Sequence, residues 1–169
     1  MLQRLRGLRP AALPNAARAA LDLERGERVI SYALGADGYV VATDRALHLP
    51  GGEPRIGWEH IEHAEWQRGG LHVRETAPFG EAPKEHAVRV TDSRTLPEVV
   101  RERVTSTIVV NQHAPLHGNL GVRVVGRRSP ATDDVVWTLV FDSGLDPRDP
   151  ELRARASQLL EEMRQQTGL

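Results

Sequence analysis

Between residues 27 and 92, short segments of alternating apolar and polar residues are separated by turns rich in glycine, aspartate and proline. A period of two is typical of strands that bury one face. The first segment carries Ile30, Tyr32 and Leu34 on one face, and a Gly-Ala-Asp-Gly hairpin turn follows it. The pattern predicts a β-meander of seven strands. They are expected at 28–34, 39–43, 46–49, around Ile56 and Trp58, 64–67, 71–75 and 85–91.

After residue 92 the spacing of the apolar residues changes from two to four. An apolar residue recurs at every fourth position from Leu96 to Ile108, which places these side chains on one stripe of a helix. We therefore predict a helix over 96–112. Renewed alternation then predicts two further strands, at 120–125 and 135–141.

Helix start and stop signals mark two more elements. An alanine-rich stretch with proline at its start predicts a short helix over 14–23. Near the other end, Asp149 is a good N-cap, an amphipathic stripe follows it, and Gly168 is a typical stop. These signals predict a C-terminal helix over 150–167.

The order of these elements indicates a single α+β domain. Its parts are an N-terminal arm with a short helix (1–26), the β-meander (27–92), a helix with two strands (93–148) and the C-terminal helix (149–168). We find no internal repeat and no low-complexity linker in the chain.

Three segments of the meander carry a family resemblance: VVATDRALHL, RIGWEHIEHAEW and LHVRE. The turn Thr43-Asp44-Arg45 between two strands, and the later step from Trp58 to Ile61, resemble those of bacterial pleckstrin-homology-like domains. The resemblance covers residues 27 to 76. It implies a partly closed barrel or sandwich plugged by the C-terminal helix, and the helix predicted over 96–112 is a departure from the basic family pattern. Members of this family bind lipids, peptides or protein partners, and bacterial members often self-associate.

Composition narrows the function classes. The 169 residues include no cysteine, which excludes thiol nucleophiles and thiolate metal sites. The 22 basic and 23 acidic residues give a net charge of −1, without the basic excess typical of nucleic-acid binders. No apolar run approaches the ~20 residues of a membrane span, and residues 1–10 lack a signal-peptide pattern. We therefore expect a cytoplasmic protein that does not bind nucleic acid.

Seven histidines supply the main candidates for chemistry. His60 and His63 lie three apart among glutamates, which on a helical turn would suit a divalent metal. The same residues are expected on a solvent-facing step between strands if Ile61 points inward, so metal binding is an alternative only. His113, His117 and Asn119 belong to the segment NQHAPLHGN, which we interpret as a polar loop that lines a ligand pocket or simply forms a turn.

A second candidate is a basic cluster. Arg123, Arg127 and Arg128 lie near the predicted last hairpin, and Arg45 lies in the turn of the meander. If the fold brought them together, their guanidinium groups would suit a phosphate. Arginine on the solvent face of a strand is the simpler interpretation.

No catalytic motif is present: the chain has no Gly-x-Ser-x-Gly elbow, phosphate-binding loop or Gly-x-Gly-x-x-Gly fingerprint. We expect a non-catalytic binding or scaffold module without a cofactor, which recognises a protein partner or itself through sheet edges and loops. One alternative is a small metal-binding protein or enzyme built on histidines. The other is a peripheral membrane protein that uses the leucines and arginines of residues 2–9.

Overall fold

Two antiparallel sheets and three helices make up the part of the chain that the computed structural model describes, residues 12–52 and 55–169. In chain order these elements are α1 (Asn15–Ala19), β1 (Val29–Gly35), β2 (Gly38–Thr43), β3 (Ala46–His48), β4 (Arg55–Gly57), a 3₁₀ turn (Trp58–His60), β5 (Ile61–Gln67), β6 (Gly70–Glu75), β7 (Glu85–Asp92), α2 (Leu96–Ser106), β8 (Ile108–His117), β9 (Leu120–Arg128), β10 (Val135–Phe141) and α3 (Pro150–Thr167). None of the described helices is both long and apolar enough to cross a membrane.

The first seven strands form one sheet in the order β4-β3-β2-β1-β7-β6-β5. Its two halves meet where β1 pairs with β7, at Leu34 opposite Asp92 and Gly35 opposite Val90. Because β4 and β5 stand at opposite ends of this order, the sheet is not a closed barrel. The predicted α+β class and antiparallel meander are confirmed, whereas closure into a barrel is not.

The main hydrophobic core lies on the inner face of this seven-stranded sheet. Trp58, Leu47, Ile61 and Leu71 are fully buried there. Helix α2 covers them, since its residues Leu96 and Val100 belong to the same buried cluster. The family resemblance implied that the C-terminal helix would plug the barrel. That expectation is wrong, because the C-terminal helix packs on the other sheet.

The second sheet has the strand order β10-β9-β8, and α3 lies across one of its faces. Ala156 of α3 is buried against Val122 and Val124 of β9, with further apolar side chains of β10 and α3 partly buried around them. The predicted start of α3 is confirmed, because Oδ1 of Asp149 accepts hydrogen bonds from the N–H groups of the first turn. Gly168 ends the helix in the left-handed conformation with φ of 66°.

Strand β8 replaces two predicted features. The predicted helix over 96–112 ends at Ser106, and the predicted polar loop is mostly strand. The β-branched run 108–110 favours a strand, so the four-residue spacing that reached Ile108 was misleading. A proline at position 115 is tolerated because β8 is an edge strand. Gly121 of β9 lies opposite Pro115, and its carbonyl oxygen accepts a hydrogen bond from the N–H of Asp142, on the side of β10. Gly121 and Pro115 therefore exchange no hydrogen bonds, and the backbone nitrogen of Pro115, which has no hydrogen, faces away from the sheet.

Smaller differences concern element ends. Strand β9 continues to Arg128, three residues beyond the strand predicted over 120–125. Trp58 lies in the 3₁₀ turn rather than in a fourth strand, and its indole Nε1 donates to the carbonyl oxygen of Thr43 at 3.0 Å. Helix α1 covers only five residues of the predicted 14–23.

Candidate functional site

The four strands at the ends of the two sheets differ in how their open edges are protected. Unpaired N–H and C=O groups on an edge can pair with another chain, and proteins usually prevent this with short strands, charges, prolines or bulges. Strand β4 has three residues, and β5 carries Glu62, His63 and Glu65. Strand β8 contains Pro115 and two register irregularities. Strand β10, with the sequence VVWTLVF, has no charge or proline and pairs with β9 without a register shift. Loop 77–83 lies opposite part of its edge, but among the described residues it makes no backbone hydrogen bond to β10.

The backbone of β10 directs every second residue away from its sheet. At one end the N–H of Ser129 donates to the carbonyl oxygen of Asp134 at 2.8 Å. At the other end the N–H of Asp142 donates to the carbonyl oxygen of Gly121 at 2.9 Å. Because antiparallel bonding alternates, even-numbered residues bond to β9 and odd-numbered residues face outward. Within the described part of the chain, no hydrogen bond reaches the outward backbone groups of Val135, Trp137, Leu139 and Phe141.

A groove of about 470 Å³ follows this edge from Thr138 to Asp142, with loop 77–83 as its opposite wall. The loop is fixed by stacking: the ring centroids of Phe79 and Phe141 are 5.4 Å apart. The guanidinium group of Arg153 in α3 lies 4.7 Å from the Phe79 ring on its face. The fold thus holds open a space beside the unpaired backbone, which we call the edge groove.

Both signs of charge line the edge groove, which contains Glu62, Arg74, Glu81, Asp142 and Arg148. Arg74 is shared between two carboxylates, with its Nε 3.7 Å from Glu62 and 3.8 Å from Glu85. The side chain of Arg148 makes no hydrogen bond or ion pair with the described residues. The groove therefore offers one cationic group that is not already used by the fold.

Asp142 at the end of the groove is tied back into its own sheet. Its Oδ2 lies 2.7 Å from Nε2 of His113 and accepts a hydrogen bond from the N–H of Gly121 at 2.7 Å. The hydrogen bond with His113, followed by that from Gly121, lowers the pKa of Asp142 below its ordinary value. His113 of β8 therefore binds the carboxylate of Asp142, which follows β10 on the far side of β9.

The other members of the predicted histidine loop lie elsewhere. His117 is the last residue of β8, opposite Leu120, and Asn119 lies in the tight turn that leads into β9. These two residues are exposed at a strand end. The structure does not gather them with His113 around a ligand pocket.

The four arginines of the predicted basic cluster have separate partners. Arg45 pairs with Glu24 at 3.0 Å, in the turn between β2 and β3. Arg123 donates to Oδ1 of Asn111 at 3.1 Å, and Arg128 pairs with Asp133 at 2.9 Å. The fourth, Arg127, is buried. The structure does not bring the four guanidinium groups to one anion site.

Arg127 connects the two sheets. Its buried guanidinium group donates to the carbonyl oxygen of Val104 at 3.0 Å, to Oγ1 of Thr107 at 3.1 Å and to the carbonyl oxygen of Glu62 at 3.1 Å. Burial lowers the pKa of Arg127, and the Glu62 charge partly opposes this shift. One side chain thus joins β9, α2 and β5, and its role is to position the small sheet.

The metal candidates lie on exposed surface. His60 belongs to the 3₁₀ turn and His63 to β5, with side chains 51% and 63% exposed. His63 faces a shallow hollow of about 350 Å³ on the outer side of β5 to β7, near His72 and Glu65. Among the described residues, no group of three or more His, Cys, Asp or Glu side chains is arranged to hold a metal ion.

A buried carboxylate that sequence reasoning missed lies at the start of the large sheet. Oε1 of Glu27 accepts a hydrogen bond from Oγ1 of Thr43 at 2.5 Å and lies 3.2 Å from Nε2 of His48. Its Oε2 accepts from the N–H of Glu24 at 2.9 Å and lies 3.4 Å from Nε of Arg55. Burial acts to raise the pKa of Glu27, but these hydrogen bonds and the Arg55 charge outweigh it and lower the pKa to about 2.

The same network explains the turn that carried the family resemblance. Oγ1 of Thr43 accepts hydrogen bonds from the N–H groups of Arg45 and Ala46 while it donates to Glu27. The carboxylate of Glu27 therefore stabilises the turn between β2 and β3 through the hydroxyl group of Thr43. No local pattern could have identified it, because Thr43 and His48 are 16 and 21 residues away in the chain.

Residues 2–9, the membrane contact of the peripheral-membrane alternative, lie outside the described part of the chain. Comparison with protein families, with curated proteins and with solved structures gives no match to this chain.

Proposed function

We propose that this protein is a non-catalytic binding module that recognises an extended polypeptide strand along the edge of β10. The strand would belong to a partner protein or to another copy of the chain. Addition of a strand to an open edge supplies main-chain hydrogen bonds for affinity, while neighbouring side-chain pockets supply selectivity. The observation that carries the proposal is that β10 is long, uncharged and unpaired on one side, whereas the other three end strands carry protective features.

The edge groove supports the same function. Four outward residues of β10 offer eight backbone groups, and the groove leaves space beside the half of the strand from Thr138 onward. The wall formed by loop 77–83 adds apolar surface at Phe79. A bound strand would thus be held by backbone bonds on one side and by side-chain contacts on the other.

The proposed framework is a pleckstrin-homology-like domain formed by β1 to α2, to which the small sheet and α3 are added. The strand order β4-β3-β2-β1-β7-β6-β5, followed directly by a helix that packs on the main core, supports this framework. In it, α2 takes the place of the family's C-terminal helix. The helix that departed from the basic family pattern is then the family's own last helix, and β8 to α3 form an added unit that carries the binding edge.

The perturbed carboxylates support a non-catalytic role. Glu27 is used to hold a corner, Asp44 bonds to Arg28, and Asp142 bonds to His113 and Gly121. The pKa of each is lowered, so these groups are held ionised and bonded to the fold rather than poised to exchange a proton near neutral pH.

A peptide library displayed on phage tests this function. Peptides are selected on sparsely immobilised protein, and their affinity is compared for the wild type, Val140→Glu and Val109→Glu. Val140 lines the edge groove, while Val109 is an exposed valine on the protected edge of β8 and serves as the matched control. Selected peptides are expected to bind on the order of tenfold more weakly to Val140→Glu, because a charge is then placed against an apolar strand, and equally well to Val109→Glu. Failure to enrich any peptide, or peptides that bind Val140→Glu as tightly as the wild type, would count against the proposal.

A further inference from the structure

We propose that the strand bound at the β10 edge is β10 of a second copy, so that the protein forms a two-fold symmetric dimer with a continuous six-stranded sheet. This inference rests on the proposed function and names its partner. The two strands run antiparallel, and the two-fold axis passes beside Thr138.

The hydrogen-bonding pattern of the edge fits this register. With Thr138 opposite Thr138 of the second copy, Trp137 faces Leu139 and Val135 faces Phe141, and the reverse pairs form by symmetry. All four are outward-facing residues, so each pair exchanges two N–H···O=C bonds. The pairing therefore satisfies every outward backbone group of β10 in both copies at once.

The side chains of β10 are also matched to their own reverse order. In V-V-W-T-L-V-F, the residues equally distant from Thr138 are similar: a large apolar pair (Trp137 and Leu139), a valine pair (Val136 and Val140) and an outer apolar pair (Val135 and Phe141). Such apolar and aromatic cross-strand pairs stabilise antiparallel sheets, as does a Thr–Thr pair. A closed two-fold contact needs a surface that is complementary to itself, and this strand meets that requirement.

The dimer would also continue the smaller hydrophobic core. Trp137, Leu139 and Phe141 pack against the cluster beneath α3 but remain partly exposed, as do all seven side chains of β10. In the paired strands, the same three side chains of the second copy would lie beside them. Burial of these apolar side chains supplies the main driving force for association.

One charge at the strand end suits the edge groove. Asp134, the residue before β10, would enter the far end of the partner's groove together with its strand, where Arg148 lies with a side chain that is not engaged by the described residues. The match is confined to this pair, because Asp133 is bound to Arg128, Arg74 is shared by Glu62 and Glu85, and Glu81 also lines the groove. Asp142 lies at the same place, but its carboxylate is turned toward His113 and Gly121.

Thr138 offers a sharp test, because in this register it faces itself. Non-hydrogen-bonded antiparallel pairs bring Cα atoms to about 4.5 Å, a spacing that suits a disulfide. The chain has no cysteine of its own, so Thr138→Cys introduces a single thiol. We expect Thr138→Cys to form a disulfide-linked dimer under mild oxidation, seen on a non-reducing gel. The matched control Gln112→Cys, on the exposed edge of β8, is expected to stay monomeric on the same gel.

Charged substitutions at Thr138 test the dimer independently, through the molar mass in solution. The molar mass of the wild type, followed by light scattering over a concentration series, is expected to rise to twice 18.7 kDa. Thr138→Lys and Thr138→Glu should each dimerise at least about tenfold more weakly, since like charges then face each other across the axis. An equimolar mixture of the two variants should recover the dimer, which shows at the same time that both are folded.

Three results would overturn the inference: a wild type that stays monomeric throughout the series, a dimer that neither charge variant weakens, or a Thr138→Cys variant no more cross-linked than the control. Each leaves the peptide-binding test to decide the proposed function separately. A monomer that binds selected peptides at β10 removes the dimer but keeps the function. A monomer from which no peptide is selected removes both.

Discussion

Glu27 illustrates how strongly tertiary contacts determine the behaviour of a single residue. A glutamate between Gly26 and Arg28 gives no reason to expect burial, and yet its side chain is fully buried. Hydrogen bonds from Thr43 and the N–H of Glu24, with the charge of Arg55, compensate for the loss of water. The turn Thr43-Asp44-Arg45 is visible in the sequence, but the acceptor that holds its threonine is not.

The lowered pKa of Glu27 makes stability depend on pH in a defined direction. Since the pKa is 4.5 when unfolded and about 2 when folded, the ionised form is favoured by the fold. The stabilisation is complete above pH 4.5 and is lost as the pH falls toward 2, for a total of at most about 3 kcal/mol. Glu27→Gln removes this dependence.

Urea unfolding between pH 7 and pH 3 measures that prediction. The wild type should be more stable than Glu27→Gln at pH 7, and the difference should shrink steadily below pH 4.5. Glu81→Gln, at an exposed loop position, serves as the control and should follow the wild type throughout. A difference between wild type and Glu27→Gln that stays constant from pH 7 to pH 3 would contradict the assigned pKa.

At the scale of whole elements, the strands of the meander and helix α3 were predicted well, whereas the end of α2 and strand β8 were not. Period-two alternation located the strands of the meander to within a few residues, because most of them bury one face against the core. The boundary between α2 and β8 was missed because Val104 and Ile108 continue a helical spacing by coincidence. Edge position, which a single sequence does not reveal, is what allows Pro115 to lie within β8.

The place of α2 on the main core leads to a prediction about stability. Leu96 is fully buried beneath the large sheet, whereas Leu159 of α3 is only partly buried on the small one. Leu96→Ala should lower the free energy of unfolding by about 2–5 kcal/mol, as expected for a filled core site. Leu159→Ala, the matched control, should cost clearly less in the same urea titration. An equal or greater loss at Leu159 would mean that α2 does not close the main core.

The whole molecule combines a meander sheet, whose inner face is covered by α2, with a smaller sheet that Arg127 connects to it by hydrogen bonds. The class of the fold and most of its strands follow from the residue pattern, because that pattern reflects burial. The candidate edge does not follow, because Val135 to Phe141 resembles any buried strand until the strand order places it at the end of a sheet. The structure does not gather the predicted histidine and arginine groups, because their side chains have separate partners or lie on different elements.

The measurement that tests the central claim most directly is residue-by-residue amide hydrogen exchange in β10 by NMR, at low and high protein concentration. In dilute protein the amides of the even-numbered residues 136, 138 and 140 should be protected and those of the outward residues 135, 137, 139 and 141 should exchange fast. At high concentration all seven should become protected as a second strand covers the edge. Outward amides that stay unprotected at every concentration and with every selected peptide would contradict the claim that the β10 edge is the binding surface.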